Sequence, residues 1–173
     1  MSEPGGRFDD VWSRVQAVVF DDPDAAFTFS DRLARDNGWF HDYALGVIEE
    51  YRKFACLAVV CEFEVTPSDE VDQAWHQHLT YSRHYWGEWV AALGKPLHHG
   101  PTKGGQSEDD RYWKNYENTL AAYAHYFQSP PPREFWPVAA ERFNVRNRFV
   151  RLDTSTHIIL KRPQFLMRGG NQN

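Results

Sequence analysis

Apolar residues recur at three- and four-residue spacing along most of the chain, and this spacing predicts a mainly α-helical fold. Prolines, glycines and paired Asp or Asn residues interrupt the pattern, as is typical of loops between helices. The segments that keep the spacing between these interruptions are 9–20, 31–36, 39–58, about 67–93 and 108–127. We therefore expect a single helical domain of about five helices.

The fourth of these segments carries the clearest helix start and stop. Thr66 is expected to be the N-cap, Pro67 suits the first helical position, and Asp69 completes a capping-box-like pair with Thr66. Gly94 follows Leu93 and is a typical C-terminal stop. The sequence therefore predicts one helix that runs from Pro67 to about Leu93.

The chain changes character towards its C-terminal end. Between residues 146 and 162, β-branched residues flank the turn-forming sequence Asp153-Thr154-Ser155, which favours a small C-terminal β-hairpin. Terminal segments of a domain are the usual places for disorder. The expected organisation is a disordered N-terminus at 1–8, a single domain at 9–163 and a flexible tail at 164–173.

The composition excludes several classes of protein. Of 173 residues, 42% are hydrophobic and 25% are charged, which is typical of a globular chain. The formal net charge of −5, with no block of Lys and Arg, argues against nucleic-acid binding. The longest apolar run, Phe54–Cys61, falls far short of the roughly 20 residues that a membrane span needs. No signal-peptide pattern follows the first residues, so a cytoplasmic location is expected.

Five of the eight histidines lie between His76 and His99, which makes this region the best candidate for chemistry. His76 and His78 form an H-x-H pair, but on a continuous helix their side chains diverge by about 200° and cannot bind one ion. The apolar face of the helix contains His78, which is therefore expected inside the protein, either as a packed histidine or as an interior ligand or base. His84 falls on the opposite side and is expected to be solvated.

A metal site is predicted on the flank of the same helix. Asp72 lies one i, i+4 step before His76, so the two side chains can meet. His98 and His99 lie in a Gly- and Pro-rich loop, and one or both could complete a 2-His-1-carboxylate set. Such a set binds Zn or non-haem Fe and leaves positions open to water or substrate. The alternatives are an ordinary surface hydrogen bond for the Asp72–His76 pair and a plain helix-ending turn for the loop.

Aromatic residues make up 16% of the chain, with seven Trp, eight Tyr and twelve Phe. Their helical spacing is more typical of a core than of a ligand site. Some of them could nevertheless form a pocket wall beside the histidines. The candidate binding residues are Trp75, His78 and Tyr81.

Residues 67–78 read PSDEVDQAWHQH and contain a D-x-x-W-H-x-H motif, which is followed by Tyr81, Leu93-Gly94 and Leu97-His98. Through these residues the region resembles a known family, the glycine-rich domain-containing proteins. The similarity extends over roughly residues 35–145, without the glycine-rich tail of the larger family members. The resemblance implies an α-helical module without a settled biochemical activity, and it gives weight to Asp72, Trp75, His76 and His78.

The sequence supports two main functional hypotheses. The first is a metal-binding helical domain, or a small metalloenzyme, in which Asp72, His76 and His98 or His99 are ligands beside an aromatic-lined pocket. The second is a non-catalytic protein-interaction module whose His and Trp cluster is structural. A third is a pH sensor, because protonation of all eight histidines would change the formal charge from −5 to +3. The reaction, the small-molecule or protein partner and the oligomeric state stay open.

Overall fold

The computed structural model describes residues 4–100 and 105–144, together with Thr156 and Ile158. The described helices are α1 (Pro4–Ala17), α2 (Phe29–Asn37), α3 (His41–Val60), α4 (Asp69–Thr80), α5 (Ser82–His84), α6 (Val90–Leu93), α7 (Gln106–Phe127) and α8 (Ala139–Arg142). A π-helical segment, Tyr85–Trp89, joins α5 to α6. The prediction of a mainly helical single domain is confirmed, and the described residues contain no strand.

Two predicted segments are not covered. Of the predicted hairpin at 146–162 only Thr156 and Ile158 are described, and the predicted tail at 164–173 lies outside the described residues altogether. Within the described ranges, no helix combines the length and apolarity that a membrane span requires.

Helix α3 is the centre of the fold, because α1, α2, α4, α6 and α7 all pack against it. Its two buried charged residues are both satisfied by partners. Arg52 donates from Nη1 to the carbonyl oxygen of Val15 on α1 at 2.7 Å. Glu50 accepts hydrogen bonds from Lys53 Nζ and from Trp136 Nε1, each at 2.8 Å. A buried charge without such partners would cost several kcal/mol, so these contacts fix how the neighbouring elements dock on α3.

The first helix begins earlier than the sequence predicts. Helix α1 starts at Pro4, so residues 4–8 are helical and the prediction of a disordered segment there is wrong. Phe8 is only 8% exposed, and its ring packs against the rings of Tyr126 and Phe127 near the end of α7. Burial of this ring stabilises the helix start by a long-range contact that local spacing does not reveal.

Helix α4 is capped by a different residue from the predicted one. The Ser68 side chain accepts a hydrogen bond from the backbone N–H of Val71, and Thr66 lies outside the helix. The backbone N–H of Thr66 instead donates to Thr119 Oγ1 of α7 at 3.0 Å. Both Thr66 and Ser68 can cap a helix, so the tertiary contact with α7 decided between them.

The predicted single helix from Pro67 to Leu93 is broken at Tyr81, where φ is −84° and ψ is 55°. The Tyr81 hydroxyl accepts a hydrogen bond from Arg32 Nε at 2.9 Å, and its ring packs against Phe29 at 5.1 Å. Both partners lie on α2, so contacts with a distant helix hold the break in place. The break turns His84 back towards α4.

A line of hydrogen bonds that runs from the core to the surface follows from this break. Tyr51 Oη lies 3.0 Å from His78 Nδ1, His78 Nε2 lies 2.7 Å from His84 Nδ1, and His84 Nε2 lies 2.9 Å from the carbonyl oxygen of Val19. A carbonyl can only accept, so His84 Nε2 donates, a neutral His84 accepts at Nδ1, and Tyr51 donates to His78 Nδ1. His78 is fully buried, as predicted, whereas His84, which was predicted to be solvated, is only partly exposed and is hydrogen-bonded to His78.

Burial lowers the pKa of His78 to about 3, with smaller contributions from the charges of His84 and Arg52. In the unfolded chain this histidine takes up a proton near its ordinary pKa of 6.5, while the folded protein keeps it neutral. As the pH falls from 6.5 towards 3, His78 therefore binds a proton in the unfolded state but not in the folded state. Over that window the free energy of unfolding falls by about 1.4 kcal/mol per pH unit.

Between pH 7 and pH 5, we therefore expect the free energy of unfolding of a His78→Gln variant to fall by about 2 kcal/mol less than that of the wild type. The measurement is urea denaturation at both pH values in a chelating buffer. The matched control is His125→Gln, which replaces an exposed histidine on α7. Its free energy of unfolding should fall between pH 7 and pH 5 by as much as that of the wild type. An equal pH difference in the His78→Gln protein would contradict the assignment of a neutral buried His78.

Candidate functional site

Three potential ligand side chains converge on the outer flank of α4. Asp72 and His76 lie one helical turn apart, and His99 approaches them from the loop that follows α6. His99 Nε2 lies 2.9 Å from Asp72 Oδ1 and 2.9 Å from His76 Nε2, and His76 Nε2 lies 3.7 Å from Asp72 Oδ2. Of the predicted metal ligands Asp72, His76, His98 and His99, the structure therefore brings three together.

The hydrogen bonds within this group cannot all be satisfied at once. The Asp72 carboxylate is only an acceptor, and each neutral imidazole nitrogen either carries one proton or accepts one. A proton on His99 Nε2 would have to serve both Asp72 and His76. A proton on His76 Nε2 would leave the lone pair of His99 Nε2 facing Asp72 Oδ1, and with neither proton all three atoms present lone pairs to one another. Such a convergence of electron pairs is what a bound cation stabilises.

The group lies at the surface but is partly shielded. The side chains of Asp72 and His99 are 22% and 23% exposed, and that of His76 is 47% exposed. An ion held by the three side chains would therefore keep some of its coordination positions accessible from outside.

A tether of buried groups holds the loop that carries His99. Trp75 Nε1 donates to Tyr85 Oη at 3.2 Å, and the Tyr85 hydroxyl donates in turn to the carbonyl oxygen of Leu97. The ring of Trp75 also packs edge-on against the ring of His99, with centroids 4.6 Å apart. Because Tyr85 is completely buried, this tether fixes the loop to the core two residues before the ligand.

The other predicted site residues have different surroundings. His98 is adjacent to His99 in sequence, but its ring packs against Trp86, with centroids 5.9 Å apart, and it is not part of the ligand group. His78 lies in the core on the opposite face of α4, as described above. Tyr81 contacts α2 and is not part of the ligand group.

A cavity of about 540 Å³ adjoins the ligand group and shares Asp72 and His99 with it. Of the predicted binding residues, Trp75 lines this cavity and forms part of an aromatic wall, whereas His78 and Tyr81 do not line it. Phe54 and Leu97 form further parts of its buried wall. Cavities of 300–1,000 Å³ are of the size that holds small organic ligands.

Several wall residues were not predicted from the sequence, namely Phe54, Tyr112, Arg142 and Phe143. They come from α3, α7 and the region of α8, which lie far apart in sequence. Tyr112 lies on α7 at helical spacing from other aromatic residues, and spacing alone assigns such a ring to the core. The contact between α8 and α4, in which Arg142 donates to the carbonyl oxygen of Pro67 at 3.3 Å and pairs with Asp69, closes this wall.

Comparisons with protein-family models, curated proteins and solved structures found no match for the chain. The site itself offers one carboxylate and two imidazoles beside a cavity.

We expect a Tyr85→Phe substitution to loosen the loop at 94–100, because it removes the hydrogen bond to Leu97 and leaves that carbonyl and Trp75 Nε1 without this partner. A lost hydrogen bond of this kind costs about 1–3 kcal/mol, so backbone amide exchange in the loop should accelerate by about tenfold or more. Hydrogen–deuterium exchange with mass spectrometry on peptides covering 94–100 measures the effect.

The matched control is Tyr116→Phe. Tyr116 is also buried, and its hydroxyl donates to the carbonyl oxygen of Pro137 at 2.7 Å, far from the loop in sequence. Exchange at 94–100 should be unchanged in that protein. Equal protection of the loop in Tyr85→Phe and wild type would show that the tether does not position His99.

Proposed function

We propose that Asp72, His76 and His99 bind one divalent transition metal ion, either Zn²⁺ or Fe²⁺, and that the protein is a small metal-dependent enzyme. The observation that carries the proposal is the approach of His99 Nε2 to within 2.9 Å of both Asp72 Oδ1 and His76 Nε2. The residue types supply two imidazoles and one carboxylate, which both metals accept as ligands.

The separations support a shared ion rather than a set of unrelated surface contacts. Two ligand atoms that are each about 2.0–2.1 Å from one ion, at angles between octahedral and tetrahedral, lie about 2.9–3.4 Å apart. Two of the three separations equal 2.9 Å, and the third, 3.7 Å, is measured to the other oxygen, Oδ2, of the Asp72 carboxylate, which can rotate. Little movement of the side chains would therefore be needed for metal binding.

An enzyme fits better than a purely structural metal site. Structural zinc sites are usually closed by four protein ligands, whereas catalytic sites keep positions for water or substrate. Among the described residues only three potential ligands converge here, and they border a cavity. A bound ion would supply Lewis-acid chemistry with water if it is Zn²⁺, or oxygen chemistry if it is Fe²⁺.

The alternative function, a protein-interaction module, is favoured by exposed aromatic rings. Trp86 is 51% exposed, and Phe63 and Trp113 are each 37% exposed. Exposed rings of this size are common anchors in protein interfaces. In that case the imidazoles and Asp72 would form only a surface hydrogen-bond cluster. A cytoplasmic location and kinship with the glycine-rich domain-containing proteins stay predictions.

We expect untagged wild-type protein to retain close to one transition-metal ion per chain, and a His76→Ala or His99→Ala variant to lose it. Even a change in the groups that surround the ligands commonly lowers metal affinity by about 10–100-fold, so loss of a ligand should lower it by more than about 100-fold. Inductively coupled plasma mass spectrometry gives the stoichiometry and the identity of the metal.

The matched control is His98→Ala, which removes the neighbouring loop histidine and should leave the stoichiometry unchanged. Circular dichroism should show wild-type helicity in all three variants, because none of the three side chains is buried. Folded, metal-free wild type that takes up no Zn²⁺ or Fe²⁺ would exclude the metal site and leave the interaction module.

A further inference from the structure

The cavity beside the ligand group has two chemically different parts. One part is apolar and aromatic, and its most buried members are Phe54, Trp75 and Leu97, which are 1%, 8% and 8% exposed. The other part is polar and includes Asp72 and His99, which belong to the ligand group. A molecule that fills the cavity would therefore present one end to the metal ligands and the rest to aromatic rings.

We propose that this cavity binds a small aromatic carboxylate, with the carboxylate at the metal and the ring against the aromatic wall. This inference rests on the proposed function, because the metal supplies the point at which the carboxylate binds. It assigns a class of substrate that the ligand set alone leaves undefined.

The wall chemistry supports an aromatic body. Phe54, Phe63, Trp75, Tyr112 and Phe143 contribute rings to the lining. Aromatic groups pack well against one another in offset or edge-to-face arrangements, and such pairs add to the effect of apolar burial. The volume of about 540 Å³ is sufficient for a molecule of one or two rings.

The charges of the lining support an anionic head group once the ion is bound. Without metal, the lining carries three carboxylates, on Glu64, Asp72 and Asp109, and two cations, Lys95 and Arg142, which gives −1 with neutral imidazoles. A divalent ion changes this sum to +1. A carboxylate is then attracted by the field of the whole cavity, and its oxygen atoms are suitable ligands for the open positions of the ion.

Two of these charges are already engaged, which decides where the anion is expected. Glu64 lies 3.5 Å from Arg111 Nη1, and Arg142 pairs with Asp69. Lys95 lines the cavity, is exposed and lies on the loop that leads to His99. The metal ion and Lys95 are therefore the two positive charges that an incoming carboxylate would meet.

The test uses the full chain loaded with Co²⁺, whose visible absorption reports a change of ligands, and 2-naphthoate as the probe. Acetate tests the carboxylate without the ring, and 2-naphthalenemethanol tests the ring without the carboxylate. We expect 2-naphthoate to change the Co²⁺ spectrum and to bind at least about tenfold more tightly than acetate, because the ring is buried. The alcohol should leave the spectrum unchanged at the same concentration.

Variants separate the two parts of the cavity. Ala58 lies on α3, lines the cavity and is half-buried, so Ala58→Phe should occupy the space for the ring and remove most of the advantage of 2-naphthoate while acetate still binds. Lys95→Glu should weaken both carboxylates several-fold. The matched control is Ala91→Phe, at an exposed position of α6 that does not line the cavity, which should behave as wild type.

The outcomes distinguish this inference from the proposed function. If the wild type binds no Co²⁺ in equilibrium dialysis, the proposed function is overturned, and the inference with it. If Co²⁺ binds but 2-naphthoate does not alter its spectrum, or binds no better than acetate, only the inference is overturned. The same holds if Ala58→Phe binds Co²⁺ normally and keeps the full preference for 2-naphthoate.

Discussion

The buried hydrogen bond between His78 of α4 and Tyr51 of α3 fixes the orientation of α4, and the candidate site depends on that orientation. His78 is completely buried and packs among the rings of Phe20, Tyr85 and Trp89. Side chains two positions apart on a helix diverge by about 200°, so burial of His78 places His76 outside. Asp72 lies one turn earlier on the same flank. The H-x-H sequence is thus divided between a core histidine and a surface histidine, and it is not a chelate.

The core also determines where the distant part of the site lies. Trp75, on the edge between the buried and exposed faces of α4, contacts His99 and is hydrogen-bonded to Tyr85, which holds the carbonyl of Leu97. The loop is therefore positioned by groups whose own places are set by close packing. A surface site that is organised in this way loses little conformational freedom when it binds an ion, because the core has already ordered its third member.

The sequence predicted what depends on local spacing, and it missed what depends on contacts between distant elements. Asp72 and His76 could be paired because an i, i+4 step on a helix is a local fact. The choice between His98 and His99 could not be made, because it depends on Trp75 and Tyr85. The break at Tyr81 was missed because it is held by Arg32 and Phe29 of α2, and this error placed His84 in solvent although it is hydrogen-bonded to His78.

The ligand group and the cavity share residues, and they are also linked by electrostatics. Without an ion, Asp72 lies in a lining that carries an excess of negative charge, which repels anions and attracts a divalent cation. Binding of that cation would reverse the sign of the net charge of the lining, so the cavity would then favour an anionic ligand. We expect the metal to bind before the carboxylate, because the metal supplies the positive charge that the carboxylate requires. A neutral apolar molecule would gain binding free energy only from its contacts with the aromatic rings. A carboxylate would also gain the interaction with the metal, and this difference distinguishes a metal-anchored substrate from a molecule that only fills the cavity.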